Sequence, residues 1–192
     1  MGQRTWRLTT LVLTAVLILV CPLTQAQIRK PAKGYFGIKA GLLSPGDYRI
    51  DGFDWETEAQ YSFEIFMDFP VISRLYAGAA IDIHEVRVRS VEESKPLLDF
   101  SLAVKYRLPA TNGSLIFSPG ASGGYSFLQE YMNYKDIRMW TVKLFMEFIW
   151  KFGDKVGLLV EMGPAWAPSG GNDDHDITAG PMFLLRGGIV FQ

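Results

Sequence analysis

A period of two runs through most of this chain, and it is cleanest between Trp55 and Phe69. Trp55, Thr57, Ala59, Tyr61, Phe63, Ile65, Met67 and Phe69 carry no charge, while Glu56, Glu58, Gln60, Ser62, Glu64, Phe66 and Asp68, mostly acid and amide, alternate with them. Successive side chains of a strand point to opposite faces, so the pattern predicts one long strand with a neutral face and an acidic face. A helical period of 3.6 would mix the two sets. The remaining question is which face meets water, which meets protein and which meets lipid.

Seven further segments alternate in the same way: residues 35–43, 75–86, 98–108, 115–127, 139–152, 156–166 and 177–191. The connections at 70–74, 109–114 and 153–155 are short, and the second contains Asn112-Gly113, a tight-turn pair. Those at 43–54, 87–96, 129–138 and 167–176 are longer and more polar. Long and short alternate strictly, which predicts an antiparallel meander with one smooth end and one elaborated end.

Residues 1–26 read as a secretory signal peptide. Arg4 and Arg7 form its basic start, an apolar stretch from Leu8 to Val20 its centre, and Thr24-Gln25-Ala26 its cleavage site. The apolar stretch falls short of the ~20 residues a spanning helix needs. The lone cysteine, Cys21, lies inside this leader, so the domain 27–192 has to hold together without disulfides. Without the leader, 17 bases face 20 acids, which gives no electrostatic footprint for nucleic acid.

Three features decide between a barrel with its apolar face inside and one with that face outside. The polar face is rich in very small residues such as Gly37, Gly41, Gly78, Gly124 and Gly188. Glycines weaken a solvated strand but make room for long side chains inside a narrow barrel. Aromatics gather at the two ends of the apolar face: Phe36, Phe69, Tyr106, Trp150 and Phe191 at the smooth end, and Trp55, Tyr125, Trp140 and Trp166 at the elaborated end. Trp140 and Trp150 are about 33 Å apart along a strand, or roughly 24 Å vertically at a tilt near 45°, the height of an outer-membrane apolar band. The apolar face is also free of charge between the two rings, where a charge would cost about 2–4 kcal/mol in lipid. The expected fold is all-β: an eight-stranded antiparallel up-and-down transmembrane β-barrel, closed so that every backbone group finds a partner.

The leader, the eight strands, the alternating loop lengths and a last strand with Phe183, Leu185, Ile189 and Phe191 in phase resemble the OmpA/OmpX-type outer-membrane β-barrels of Gram-negative bacteria. That resemblance implies an integral cell outer-membrane location, short turns on the periplasmic side, long loops outside, and insertion by the barrel-assembly machinery. The resemblance family usually ends on an aromatic, whereas Gln192 follows Phe191 here.

The inward set then contains Lys39, Glu64, Asp68, Asp82, Asp99, Lys105, Arg107, Lys143, Glu147, Glu161 and Arg186, with Glu56 and Glu58 above them. Acids and bases nearly balance, and a barrel of this size has just enough interior for side chains to fill. The expectation is a charge-paired, plugged lumen in a non-enzymatic monomer without cofactor or metal. Its surroundings are outer-membrane lipid, with an extracellular ligand reached through the long loops or a purely structural role in the envelope. A narrow ion or small-solute channel is the alternative. A lipid-modifying enzyme is a third reading, resting on Asp82 and His84; the His-x-Ser pair found on a strand of barrel enzymes is missing, since Glu85-Val86 follow His84. The loop 170–176 holds oxygen ligands suited to a hard cation but lacks the spacing of a calcium loop.

Overall fold

The computed structural model describes residues 33–91, 94–110, 113–131 and 134–192; the leader at 1–26 and the Asn112 turn position lie outside them. The described residues form strands β1 Tyr35–Leu43, β2 Asp47–Ile50, β3 Phe53–Glu56, β4 Gln60–Ile72, β5 Leu75–Arg87, β6 Ser94–Tyr106, β7 Leu108–Pro109, β8 Leu115–Tyr131, β9 Tyr134–Lys151, β10 Val156–Gly171 and β11 Ile177–Phe191. Eight of them make the barrel wall in the order β1-β4-β5-β6-β8-β9-β10-β11, and β11 pairs back onto β1 from Phe191 opposite Phe36 to Leu184 opposite Leu43. All pairings are antiparallel, so the wall is a closed up-and-down meander.

The period-two pattern sets the two faces. Along β4, Gln60, Ser62, Glu64, Phe66 and Asp68 are buried, while Tyr61, Phe63, Ile65, Met67 and Phe69 are exposed. The same inversion recurs around the wall: Phe100, Leu102, Val104, Leu144, Trp150, Leu158, Val160, Leu185 and Ile189 face outward and are exposed. The inside is close-packed. Gly78 has no room for a Cβ beside the Asp68 carboxylate and the backbone of Met67.

The elaborated end differs from expectation in two ways. Stretches 129–138 and 167–176 were expected to be loops, yet β8 and β9 run on to pair Tyr131 with Tyr134, and β10 and β11 leave only 172–176 between them. Polar residues outside a buried layer still satisfy their backbone by ladder pairing, so polarity alone marks no strand end. The first long connection is also structured. It forms the β2–β3 hairpin, turning at Asp51-Gly52 with φ of 50° and 88°, the left-handed pair that a two-residue hairpin demands. β2 takes over from β1 beside β11, with Ile50 opposite Ile177.

The expected continuous strand 55–69 is therefore broken. Phe53–Glu56 belongs to the hairpin, Thr57 bridges Val88, and β4 begins at Gln60. Because Thr57 and Gln60 both face inward, the phase shifts between them. Glu56 and Glu58 consequently sit outside, paired with Arg89 at 2.6 Å and Arg87 at 3.6 Å. Trp55 packs against the interior apolar cluster rather than lying on the outer aromatic ring.

Candidate functional site

The interior is layered, and its middle layer is charged. All eleven residues of the inward set are buried and meet one another. Register explains why they need partners from across the lumen. Glu64 lies opposite Asp82, Asp82 opposite Asp99, and Glu147 opposite Glu161, so neighbouring strands place like charges side by side. Such pairs repel and are tolerated only when bases reach between them.

Arg186 from β11 contacts Glu64 and Asp82 directly and Glu161 at 3.5 Å. Lys39 from β1 lies 2.6 Å from Glu64, 2.6 Å from Glu161 and 3.3 Å from Glu147. Lys143 from β9 sits 2.9 Å from both Asp82 and Asp99. Lys105 joins Glu147 at 2.8 Å and Asp68 at 3.1 Å, and Arg107 meets Asp68 at 2.5 Å. Hydroxyls complete the belt: Ser62 donates to Asp82, and Ser126 and Thr141 donate to Asp99. The gap lined by Lys39, Glu64, Asp68, Lys105, Lys143 and Glu161 is ≈ 10 Å³, about the room for a single water.

Apolar residues lie on both sides of the belt. Towards the elaborated end, Leu43, Tyr48, Ile50, Val86, Leu97, Leu128, Ile137, Met139, Ile177, Met182 and Leu184 form one buried cluster across the lumen. The gap between this plug and the belt, beside His84 and Arg186, is ≈ 30 Å³. Towards the smooth end, the Arg107 guanidinium lies over the rings of Tyr35 and Tyr76, whose own centroids are 5.7 Å apart. Phe66 carries Lys39 and Lys105 on its face, at 4.5 and 4.6 Å. The charged set named from the sequence leaves these apolar residues out; the signal for them is phase, since Leu97, Leu128 and Leu184 each stand two residues from an inward polar residue, Asp99, Ser126 and Arg186 respectively.

His84 faces Ser62 across the β4–β5 ladder, and its Nδ1 lies 3.6 Å from Asp82. A serine, a histidine and an aspartate are thus neighbours, but Ser62 gives its proton to Asp82 rather than to the imidazole. The group is also buried beneath the plug.

Of the remaining predicted aromatics, Phe36, Phe69, Trp140, Trp150 and Phe191 are exposed on the outward face, and Tyr106, Tyr125 and Trp166 are half-buried. Above the barrel, the loop at 172–176 is tied down by protein groups. His175 Nδ1 lies 2.5 Å from the Asp51 carboxylate, which also accepts the Asp176 N–H, and the His175 ring meets Tyr134 edge-on at 4.7 Å. Asn172 accepts the N–H groups of Asp174 and His175. These contacts hold the Asp51 carboxyl below its ordinary value of 3.8, chiefly through the hydrogen bond with His175. Among the described residues no cluster of three or more histidine, cysteine or acidic side chains is arranged to hold a metal.

No family model matches the chain, and no curated protein matches it either. Solved structures do share its fold. The outer membrane protein OprG from Pseudomonas aeruginosa superposes with a TM-score of 0.55 at 12% identity, covering 84% of this chain and 96% of that one. Neisserial surface protein A superposes with a TM-score of 0.55 at 10% identity, covering 85% of this chain and 99% of that one. The chain has the closed eight-stranded barrel fold of these two proteins. At such identities the likeness extends to the fold and not to a specific OmpA/OmpX kinship.

Proposed function

We propose that the protein is an integral outer-membrane barrel, inserted after loss of the 1–26 leader, whose lumen is closed and whose role is structural or surface-binding rather than catalytic. The observation that carries this reading is the inverted polarity of the wall. Large apolar side chains, including Phe63, Ile65, Leu102, Leu144, Trp150 and Leu158, cover its outside, while the ionised groups are buried within. A surface of that kind far exceeds the few hundred Å² of exposed apolar patch that soluble monomers carry. Hydrocarbon is the solvent that suits it. The printed names of OprG and Neisserial surface protein A, an outer membrane protein and a surface protein, agree with this location.

The closed lumen is supported by the belt and plug together, because an ion would have to break paired charges and then cross an apolar layer. A non-enzymatic role is supported by the Ser62 proton being committed to Asp82 and by the plug between His84 and any lipid substrate. The elaborated end, led by the β2–β3 hairpin, is then the surface offered to extracellular ligands. The last strand, with Phe191 in phase, is the element offered to the assembly machinery, and the barrel works as a monomer.

Refolding into liposomes tests the location. The wild-type chain should float with the vesicles, resist protease and migrate differently before and after boiling. Phe63→Arg, which sets a charge in the apolar wall, should lose all three properties. Recovery of the wild-type chain from a periplasmic fraction without detergent would overturn the reading.

A further inference from the structure

The belt does not balance. Among the described residues its buried carboxylates are Glu64, Asp68, Asp82, Asp99, Glu147 and Glu161, and its permanent cations are Lys39, Lys105, Arg107, Lys143 and Arg186, one fewer. A buried carboxylate without a cation is costly enough to recruit a proton or a counter-ion. The contacts locate the shortfall. Of the belt carboxylates Arg107 pairs with Asp68 alone, which leaves Lys105 to Glu147. Of the belt bases Asp99 pairs with Lys143 alone. Glu64, Asp82 and Glu161 are then left to share Lys39 and Arg186, and Lys39 reaches Glu64 and Glu161 but not Asp82.

One further buried side chain among the described residues can carry a positive charge. His84 of β5 lies where the belt meets the plug, and its Nδ1 is 3.6 Å from the Asp82 carboxylate. With a proton on this ring every acid has a base of its own: His84 serves Asp82, while Arg186 and Lys39 divide Glu64 and Glu161 between them. Ser62, opposite His84 in the ladder, donates to Asp82 and leaves the ring to supply its own charge. The titratable and charged groups around the imidazole are Asp82 on its own strand, Glu64 from β4, Asp99 from β6, Lys143 from β9, Arg186 from β11 and Tyr48 from β2. β10 adds Glu161, 3.5 Å from Arg186. The acids in this set outnumber the bases.

We infer that His84 is a proton-binding site that supplies the sixth cation of the belt, so that closure of the lumen is proton-linked. Imidazole is the side chain that ordinarily changes charge between about pH 5 and 8. On the acid side of that range the belt is fully paired. On the alkaline side the ring is neutral, Asp82 draws on Arg186, and either Glu64 or Glu161 is left short of a base in the low-dielectric interior. The stabilising contribution is therefore complete while the ring is charged and is lost as pH rises. This goes beyond the closed-lumen reading, because it makes the strength of the closure answer to the pH outside.

The test uses the His175→Gln chain refolded into liposomes, where His84 is the only histidine. Nitrogen magnetic resonance of its ring should show both nitrogens protonated at about pH 6. Urea unfolding should become about tenfold more favourable on going from there to the alkaline side of the imidazole range. His84→Gln should abolish that dependence and unfold at acid pH as readily as its parent does at alkaline pH. Glu161→Gln should destabilise the parent at acid pH yet stabilise the His84→Gln chain, because there it removes the excess acid. Lost packing alone would not reverse that sign. Should His84→Gln fail to refold, the double variant with Glu161→Gln should still do so. A neutral ring at acid pH, a pH dependence that survives His84→Gln, an effect of Glu161→Gln of one sign in both chains, or a double variant that does not refold would each overturn the inference. So would an infrared band of a protonated carboxyl that vanishes in Glu161→Gln, which places the proton on the acid. Stability that follows sodium at fixed ionic strength would overturn it too, by making a metal ion the sixth cation.

Discussion

The charged belt and the apolar plug occupy the same lumen, a few residues apart on the same strands, yet they are held by different physics. On β6, Asp99 belongs to the belt and Leu97 to the plug. On β11 the neighbours are Arg186 and Leu184. Burying the belt carries a desolvation penalty, which its mutual attractions offset only while every partner is present. Burying the plug is favourable residue by residue, in proportion to apolar area. The belt should therefore fail collectively and the plug locally.

The largest effect should come from Arg186→Met, which strips the shared cation from Glu64, Asp82 and Glu161. A loss of about 3–5 kcal/mol is expected in urea unfolding from liposomes, as for other half-broken buried ion pairs. Next comes the plug, where Leu97→Ala should cost about 2–4 kcal/mol by leaving a cavity among packed neighbours. If Leu97→Ala proved as damaging as Arg186→Met, the contrast between the two layers would collapse. Glu64→Gln should be milder at about 1–3 kcal/mol, because the amide still accepts a hydrogen bond while Lys39 and Arg186 keep Glu161 as a partner. Its barrel should still form and show the wild-type shift on boiling.

The smallest effect lies outside the lumen, in the contact between His175 and Asp51. Asp51 has a depressed pKa in the folded protein, so its contribution is present above its unfolded value near 3.8 and is lost as pH falls through the lower, folded value. The Asp176 N–H, which the carboxylate accepts, should be protected from exchange relative to its intrinsic rate at neutral pH and should lose that protection only at acid pH. In Asp51→Ala the protection should be absent throughout. Unchanged protection in that variant would show that the loop is held by its other contacts, those of Asn172 and of the His175 ring with Tyr134.

The difference between the layers also explains what could be read from the sequence. A charge in a strand with one lipid-facing side can only point inward, so Lys39, Lys143 and Arg186 announced their position by phase alone. An apolar residue such as Leu97 or Leu184 suits either face of the wall by its own chemistry, and only its phase with Asp99 or Arg186 two residues on points it inward. That these side chains meet across the lumen is visible only once register places them together. Trp55 and Glu56 were misplaced for a related reason. Alternation carries no mark where a strand ends and its phase resets, and the Asp51-Gly52 pair is a hairpin turn only because strands lie within the long connection. Which acids each base would meet was likewise illegible, since Lys143 reaches Asp82 and Asp99 from a strand that pairs with neither of theirs.

Closure of the lumen by the belt and the plug is tested most directly by single-channel recording across a planar bilayer. The folded wild-type chain should insert without producing steady conductance. A sustained ohmic current that changes in Lys143→Ala would show an open path through the belt and contradict the account.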